Sequence, residues 1–187
     1  MKITILLLAA GASSRMGGAD KLAREIDGEP LLRRATLAAL GSDANVVVVT
    51  TPDRTKLIHD LDVQAVAGGA DMSDSLRAGL ADLEADAVII SLADMPDITA
   101  DHYKNLINAY DRKQDRLICR AISDTGTPGH PVLFDARFFG ELRDITGDTG
   151  PKSVILRHSD VLVNVPTPGS SAVTDLDTED DWEKYRK

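Results

Sequence analysis

The sequence predicts one doubly wound, Rossmann-like α/β domain spanning residues 1–187, a mostly parallel sheet with helices on both faces. Three observations predict it. Apolar runs of strand length alternate with segments of helical period through the first two thirds of the chain. The runs themselves, such as "KITILLL" and "NVVVVT", are apolar at successive positions, the pattern of strands covered on both faces. Aromatic residues make up only 4% of the chain, so the core must rest on Leu, Val, Ile and Ala. A chain of 187 residues has room for one such core but not for two.

Each element follows in order. Residues 2–8 form the first buried strand. After a Gly/Ser-rich stretch, "EPLLRRATLAAL" is a helix with Pro30 near its first turn and Gly41 beyond its end. "NVVVVT" is the second strand, and "TPDRTKLIHDL" is a helix capped by Thr51 with Pro52 in its first position. "VQAVA" is a short third strand ending at Gly68 and Gly69. Met72, Leu76, Leu80 and Leu83 recur at helical spacing, so "MSDSLRAGLADL" is a helix with Ser73 as its cap. "DAVIISLA" is a fourth buried strand stopped by "DMPD". Thr99 caps the helix "ADHYKNLINAYDR", and "RLICRAI" is a fifth strand. The last third is less regular: "PGHPVLFD" and "VLVNV" read as added strands, and "TEDDWEKYRK" as a closing helix.

Composition narrows the function. A net charge of −9 sets aside nucleic acid and membrane surfaces as partners, and any bound polyphosphate must meet locally placed cations. The single cysteine, Cys119, precludes an internal disulfide and fits a reducing, cytoplasmic setting. Its place in "LICRAI" reads as a buried structural thiol. "MKITILLLAAGAS" offers the Lys, apolar run and small residues of a secretory signal, yet the run is short and serves equally as the first buried strand. No segment supplies the roughly 20 apolar residues of a membrane-spanning helix.

In parallel α/β sheets ligands sit beyond the carboxyl ends of the strands, where the loop after the first strand and "DMPD" both fall. The first loop, "AAGASSRMGGADK", is neither a P-loop nor G-x-G-x-x-G, because its glycines are wrongly spaced and no Gly-Lys-Ser/Thr ends it. It still carries what a triphosphate needs. Gly11 lets backbone N–H groups approach phosphate oxygens, and Ser13 and Ser14 add hydroxyl donors. Arg15 offers a planar fork and Lys21 a point charge, both read as projecting from a loop outside the core. The same residues alone would also make a solvated loop.

"LAAGASSRMGGADKL" resembles the Leu-Ala-Ala-Gly-x-Ser-x-Arg-Met-Gly signature, followed by Lys, of sugar-phosphate and cofactor nucleotidyltransferases. "MSDSLRAG", "LADMPDI", "GHPVLF", "GDTG" and "DLDTEDDW" follow in order. Together they resemble the molybdenum-cofactor nucleotidyltransferases, and the cytidylyltransferase branch above all, over residues 6–182. The resemblance implies a nucleotide-diphospho-sugar transferase-like fold and Mg²⁺-dependent transfer of CMP from CTP to molybdopterin or its metallated form, with release of pyrophosphate. Arg15, Lys21 and Asp94 are the implied catalytic residues, and Asp94 with Asp177 the implied metal ligands, Asp175 being the alternative to Asp177. The implied nucleotide contacts are Leu8, Ala9, Ala10, Gly11, Ser13, Ser14, Arg15, Gly17 and Lys21. Gly68, Gly69, Ser73 and Ser75 join them, the two serines being the residues of their helix left free to bind.

On the acceptor side the resemblance places Gly129, His130, Asp148 and Lys152, with His130 suited to phosphate or pterin contact rather than to a metal. His59, His102 and His158 lie in helical patterns and read as surface residues. Asp97 reads as a turn or cap residue, and Glu179, Asp180 and Asp181 as the first turn of the closing helix. Two departures from the family pattern stand out. Three residues separate Gly17 from Lys21 where many relatives have two, and "GDTGPK" puts Lys152 where relatives carry an arginine fork. Three other functions stay open: a GTP-using member of the same family, a nicotinamide- or flavin-dependent oxidoreductase on the same fold, and a non-catalytic maturation partner of a client molybdoenzyme.

Overall fold

The computed structural model of the chain describes residues 1–11, 20–69, 71–147 and 150–185. Ser13, Ser14, Arg15, Gly17 and Asp148 lie outside the described residues. In chain order the elements are β1 (Ile3–Ala9), β2 (Glu25–Ile26), β3 (Glu29–Pro30), α1 (Leu31–Leu40), β4 (Asn45–Thr50), α2 (Pro52–Thr55), β5 (Gln64–Ala67) and α3 (Met72–Leu80). They continue as β6 (Ala87–Leu92), α4 (Ala100–Ala109), β7 (Ile118–Ile122), β8 (Pro128–Asp135), α5 (Phe139–Arg143), α6 (Lys152–Arg157), β9 (Leu162–Pro166) and α7 (Glu179–Tyr185).

Among the described residues the main sheet has seven strands in the order β5-β4-β1-β6-β8-β7-β9. β1 lies third in that order, parallel to its neighbours β4 and β6, with Leu7 opposite Val48 on one side and Ser91 on the other. The strand "PGHPVLFD" is β8, and it runs antiparallel between β6 and β7. Its reversal has a local cause. The turn from Ser123 to Thr127, closed by the Ser123 N–H donating to the Thr127 carbonyl at 2.9 Å, is too short for a crossover and can only make a hairpin.

Alternation along β1 divides the core. Ile3, Ile5, Leu7 and Ala9 pack with Leu31 and Leu32 of α1, Tyr103 and Leu106 of α4 and Trp182 of α7. Leu6 and Leu8 face the other way, toward Leu76 and Leu80 of α3, Leu142 of α5 and Val154 of α6. Each fully buried aliphatic side chain contributes roughly 1.5–3 kcal/mol by leaving water, and both faces of the sheet are filled. Cys119 lies in this interior, and burial pushes its thiol up to about 12.

Four local expectations need correction. Asp71, not Ser73, caps α3, its carboxylate accepting from the Asp74 N–H at 2.8 Å. The reach of that carboxylate, two residues earlier, takes the capping position and moves Ser73 into the first turn. α2 stops at Thr55 because the chain after it proceeds through turns rather than a continuous helix. Thr51 stands at its start without a side-chain cap bond. His102 is buried, since α4 turns that face toward the segment carrying Ser171.

Candidate functional site

Three stretches meet at the carboxyl ends of the central strands. The Ala93 N–H donates to the Leu8 carbonyl at 3.1 Å, which ties the turn after β6 to the end of β1. The Leu176 N–H donates to the Asp94 carbonyl at 3.0 Å, which lays the return segment before α7 along that turn. Residues 175 and 177 therefore flank a backbone bond to Asp94. Lys21 enters from the third stretch, a single 3₁₀ turn, Lys21–Ala23, capped by Asp20 through the Leu22 N–H at 3.1 Å.

The Lys21 ammonium joins them. Its Nζ lies 2.5 Å from Asp94 Oδ2 and 2.5 Å from Asp177 Oδ1. Lys21 is itself buried, which corrects the expectation that it projects from a loop outside the core. Burial alone would lower its pKa, but the Asp94 and Asp177 carboxylates overcome that and raise it. Asp175 shares the neighbourhood: burial, then the charges of Asp177 and Asp94, push its carboxyl above the usual range. Asp94 Oδ1 is buried and has no hydrogen-bond partner among the described residues. An anionic oxygen buried in this way is costly unless a cation or donor completes it.

That orphaned oxygen tests the fit of a divalent cation. Two carboxylates, Asp94 and Asp177, converge from separate segments, and Mg²⁺ is commonly held by one or two carboxylates, with waters and substrate phosphates completing its shell. The donor set fits such an ion. Among the described residues no group of three or more Asp, Glu, His or Cys is arranged to hold a metal by protein ligands alone.

A model of the MobA-like NTP transferase domain matches residues 5–161. The chain belongs to that family. The bifunctional enzyme IspD/IspF of Rhizorhabdus wittichii is 34% identical over 146 residues, 72% of this chain and 37% of that protein. The chain thus spans little more than a third of that relative's length. Among solved structures, Rv0371c from Mycobacterium tuberculosis H37Rv superposes with a TM-score of 0.84 at 23% identity, over 98% of this chain and 97% of the other. A CMP:2-keto-3-deoxy-manno-octonic acid synthetase complexed with CTP superposes at 0.79 and 15% identity, over 100% and 97%. At these identities the two structures establish a shared fold.

The other residues expected to contact the nucleotide fall into two groups in this NTP transferase domain. Leu8 and Ala9 are buried at the end of β1, whereas Ala10 is half-buried and Gly11 exposed at the start of the loop. Gly68 allows the chain after β5 to press on that stem, for a Cβ there would lie 2.1 Å from the Ala10 Cβ. Gly69 does the same against Asp74 at 2.1 Å. Ser73 and Ser75 are buried rather than free, and the Ser73 hydroxyl donates to the Gly147 carbonyl. This bond brings Gly147 against the start of α3, and Lys152 stands exposed at the start of α6.

Gly129 and His130 lie across the site at the start of β8. A Cβ on Gly129 would come 1.8 Å from the Ala172 carbonyl oxygen, and the His130 N–H donates to that same oxygen at 2.9 Å. The two therefore seat the return segment that carries Asp175 and Asp177. The His130 Nδ1 is buried with no hydrogen-bond partner among the described residues. Burial lowers its pKa against the opposing influence of the Ile90 carbonyl and the Asp94 charge, which favours the neutral ring.

Asp97 serves structure, accepting from the Tyr185 hydroxyl at 2.7 Å and so tying α7 to the turn. Glu179, Asp180 and Asp181 occupy the first turn of α7, where Asp181 also accepts from the Thr178 N–H at 2.8 Å. The sequence reading missed Arg54, whose buried guanidinium bonds to Ala9, Gly11 and Asp20. Its one sequence signal was position, a basic residue just after the second strand at the ligand edge of the sheet. Arg24 was missed as well. It stacks 4.5 Å over the Trp182 ring and pairs with Glu179 at 2.7 Å, fastening the Lys21 turn to α7.

Proposed function

We propose that this chain is a Mg²⁺-dependent nucleotidyltransferase that transfers CMP from CTP to molybdopterin or its metallated form. The observation that carries the reading is the convergence of Asp94, Asp177 and Lys21 beside the end of β1, with Asp94 Oδ1 lacking a partner among the described residues. Membership of the MobA-like NTP transferase family supports the triphosphate substrate. The choice of CTP draws on the Leu8-Ala9-Ala10-Gly11 form of the first loop and on the fold shared with a synthetase solved with CTP.

In this reading the loop beginning at Gly11 receives the triphosphate, with Ser13, Ser14, Arg15 and Gly17 supplying donors and positive charge. An oxygen of the acceptor's phosphate attacks the α-phosphorus in line. A new P–O bond forms, the bond from the α-phosphorus to the α–β bridging oxygen breaks, and pyrophosphate leaves with that electron pair. Asp94 and Asp177 would hold Mg²⁺, which supplies charge neutralisation to the phosphate oxygens when bound. Lys21, within reach of both carboxylates, turns its ammonium to the phosphate oxygens and stabilises the charge gathering on the leaving pyrophosphate. Burial of Lys21 keeps its charge from being screened by water. Gly129 and His130 hold the return segment, and the neutral His130 ring offers a hydrogen bond to the acceptor. Asp148 and Lys152 complete that side, Lys152 as a point charge on the acceptor's phosphate. Client molybdoenzymes would receive the product.

Ligand-induced stabilisation tests the nucleotide. A ligand that binds only the native state raises its stability in proportion to RT ln(1 + [L]/Kd). CTP with Mg²⁺ is expected to raise the melting temperature more than GTP or ATP at equal concentration. A larger rise with GTP transfers the reading to guanylyl transfer, and a rise only with NAD or a flavin overturns it.

A further inference from the structure

In the reading above the first loop receives the triphosphate, and the described residues on both sides of it meet one side chain. Arg54, in the four-residue helix α2, is 7% exposed. Its Nη1 donates to the Ala9 carbonyl at 2.6 Å and to the Gly11 carbonyl at 3.1 Å, on the stem that leaves β1. Its Nε donates to Asp20 Oδ2 at 2.9 Å, on the stem that returns. The other oxygen of the Asp20 carboxylate accepts from the Leu22 N–H at 3.1 Å and so caps the turn that carries Lys21. One guanidinium thus fixes the distance between residues 11 and 20 and, through Asp20, the direction of Lys21.

A planar fork suits this task for a stated reason. Arg presents donors at fixed mutual angles, so two carbonyls and a carboxylate held by it are fixed relative to one another. A lysine in its place would offer one mobile ammonium. Burial strengthens the arrangement, because a guanidinium removed from water must keep its partners. The residues that lie between the stems in sequence, 12–19, include Ser13, Ser14, Arg15 and Gly17. The sequence reading placed the same functional groups at the phosphates.

We infer that Arg54 is a positioning residue for the triphosphate: it clamps the two ends of the phosphate loop and sets the aim of Lys21 without touching the nucleotide. The inference rests on the nucleotidyltransferase reading above. It makes a distinction that a merely structural arginine would not. The clamp governs the groups that meet the β- and γ-phosphates, whereas Leu8, Ala9 and Ala10 on the base side are also held by the β1 ladder and by Gly68, independently of Arg54. Losing it therefore penalises CTP and spares CMP.

Equilibrium binding of CTP and of CMP, each with Mg²⁺, is measured on wild type, Arg54→Met, Arg54→Lys and Asp20→Asn. Arg54→Met is expected to weaken CTP roughly tenfold or more, a loss in the range of a removed charge-assisted bond network, while CMP stays within about twofold. Arg54→Lys recovers only part of the CTP affinity. Asp20→Asn keeps an oxygen to cap the Lys21 turn, and it loses CTP affinity in the same direction by a smaller factor. This variant keeps the test decisive if Arg54→Met fails to fold. Equal losses of CTP and CMP, or no loss of either, with wild type binding CTP normally, would overturn the clamp alone. A wild-type protein that binds no nucleoside triphosphate would overturn the clamp and the reading beneath it together.

Discussion

Lys21 bridges Asp94 and Asp177, where in the proposed reading a metal ion would enter, so it is expected to matter for stability as well as for the reaction. With Lys21 gone, Asp94, Asp175 and Asp177 would face one another with the compensating ammonium removed, and like charges at this separation repel. Lys21→Met is therefore expected to lower stability by about 1–3 kcal/mol, less than a fully buried pair would cost because the carboxylates retain some solvent. Mg²⁺ alone should then raise the melting temperature of the variant more than that of wild type, since the ion no longer competes with an ammonium. Thermal melts with and without added Mg²⁺ check both halves. A variant that Mg²⁺ stabilises no more than wild type would contradict the carboxylate assignment. Asp94, Asp177 and Lys21 stand out in the sequence because each lies inside a short motif, and the structure brings the three side chains together. Arg54 does not, because its role is made by partners 34 to 45 residues away in the chain, and nothing local marks it.

The elements show where local pattern stops deciding structure. Period and capping signals located β1, β4, β6, α1, α3 and α4, because each is a continuous apolar or amphipathic run. They did not assign the cap of α3, where Asp71 and Ser73 both had the right chemistry and only backbone geometry chose. They also misplaced His102, which the pattern put on the surface of α4. Its Nδ1 accepts from the Thr99 N–H at 3.1 Å, and its Nε2 lies 2.8 Å from the Ser171 hydroxyl, which donates onward to the Pro168 carbonyl. This fastens α4 to the segment leading to Asp175 and Asp177. Burial lowers the His102 pKa below the ordinary value against the charges of Asp101 and Asp97. The native state therefore binds this proton less readily than the unfolded chain. The stability His102 contributes is present above the unfolded value near 6.5 and is lost as pH falls from there through the lower native value. Melting temperature is expected to fall across that window in wild type and to change less in His102→Asn. The variant itself should cost about 1–2 kcal/mol at pH 7. Parallel profiles for the two proteins would remove His102 from the account of acid sensitivity.

At the scale of the whole molecule, the reversal of β8 is what completes the site. A purely alternating chain would run on outward from β6. The hairpin between β7 and β8 instead places β8 beside β6, and β9 then adds to the far side of β7. The chain returns from β9 across the sheet's carboxyl edge, over Gly129, to bring Asp177 beside Asp94. Fold class and layer arrangement were legible because they follow from apolar runs that need cover on two faces. Strand order was not, because it turns on one five-residue turn and on pairings between distant segments. Among the described residues no helix is long and apolar enough to cross a membrane. The central claim is that this assembled edge transfers a nucleotidyl group with Asp94 as a metal-holding carboxylate. Pyrophosphate release from CTP, with Mg²⁺ and molybdopterin as acceptor, tests it most directly when wild type is compared with Asp94→Asn and Asp97→Asn. Asp94→Asn keeps the size of the turn and removes the charge that recruits the ion, so turnover should fall by roughly two orders of magnitude or more. Asp97→Asn retains an oxygen to accept from the Tyr185 hydroxyl and should stay within a few-fold of wild type. Equal, small effects at both positions, with Mg²⁺ dependence retained, would contradict the account.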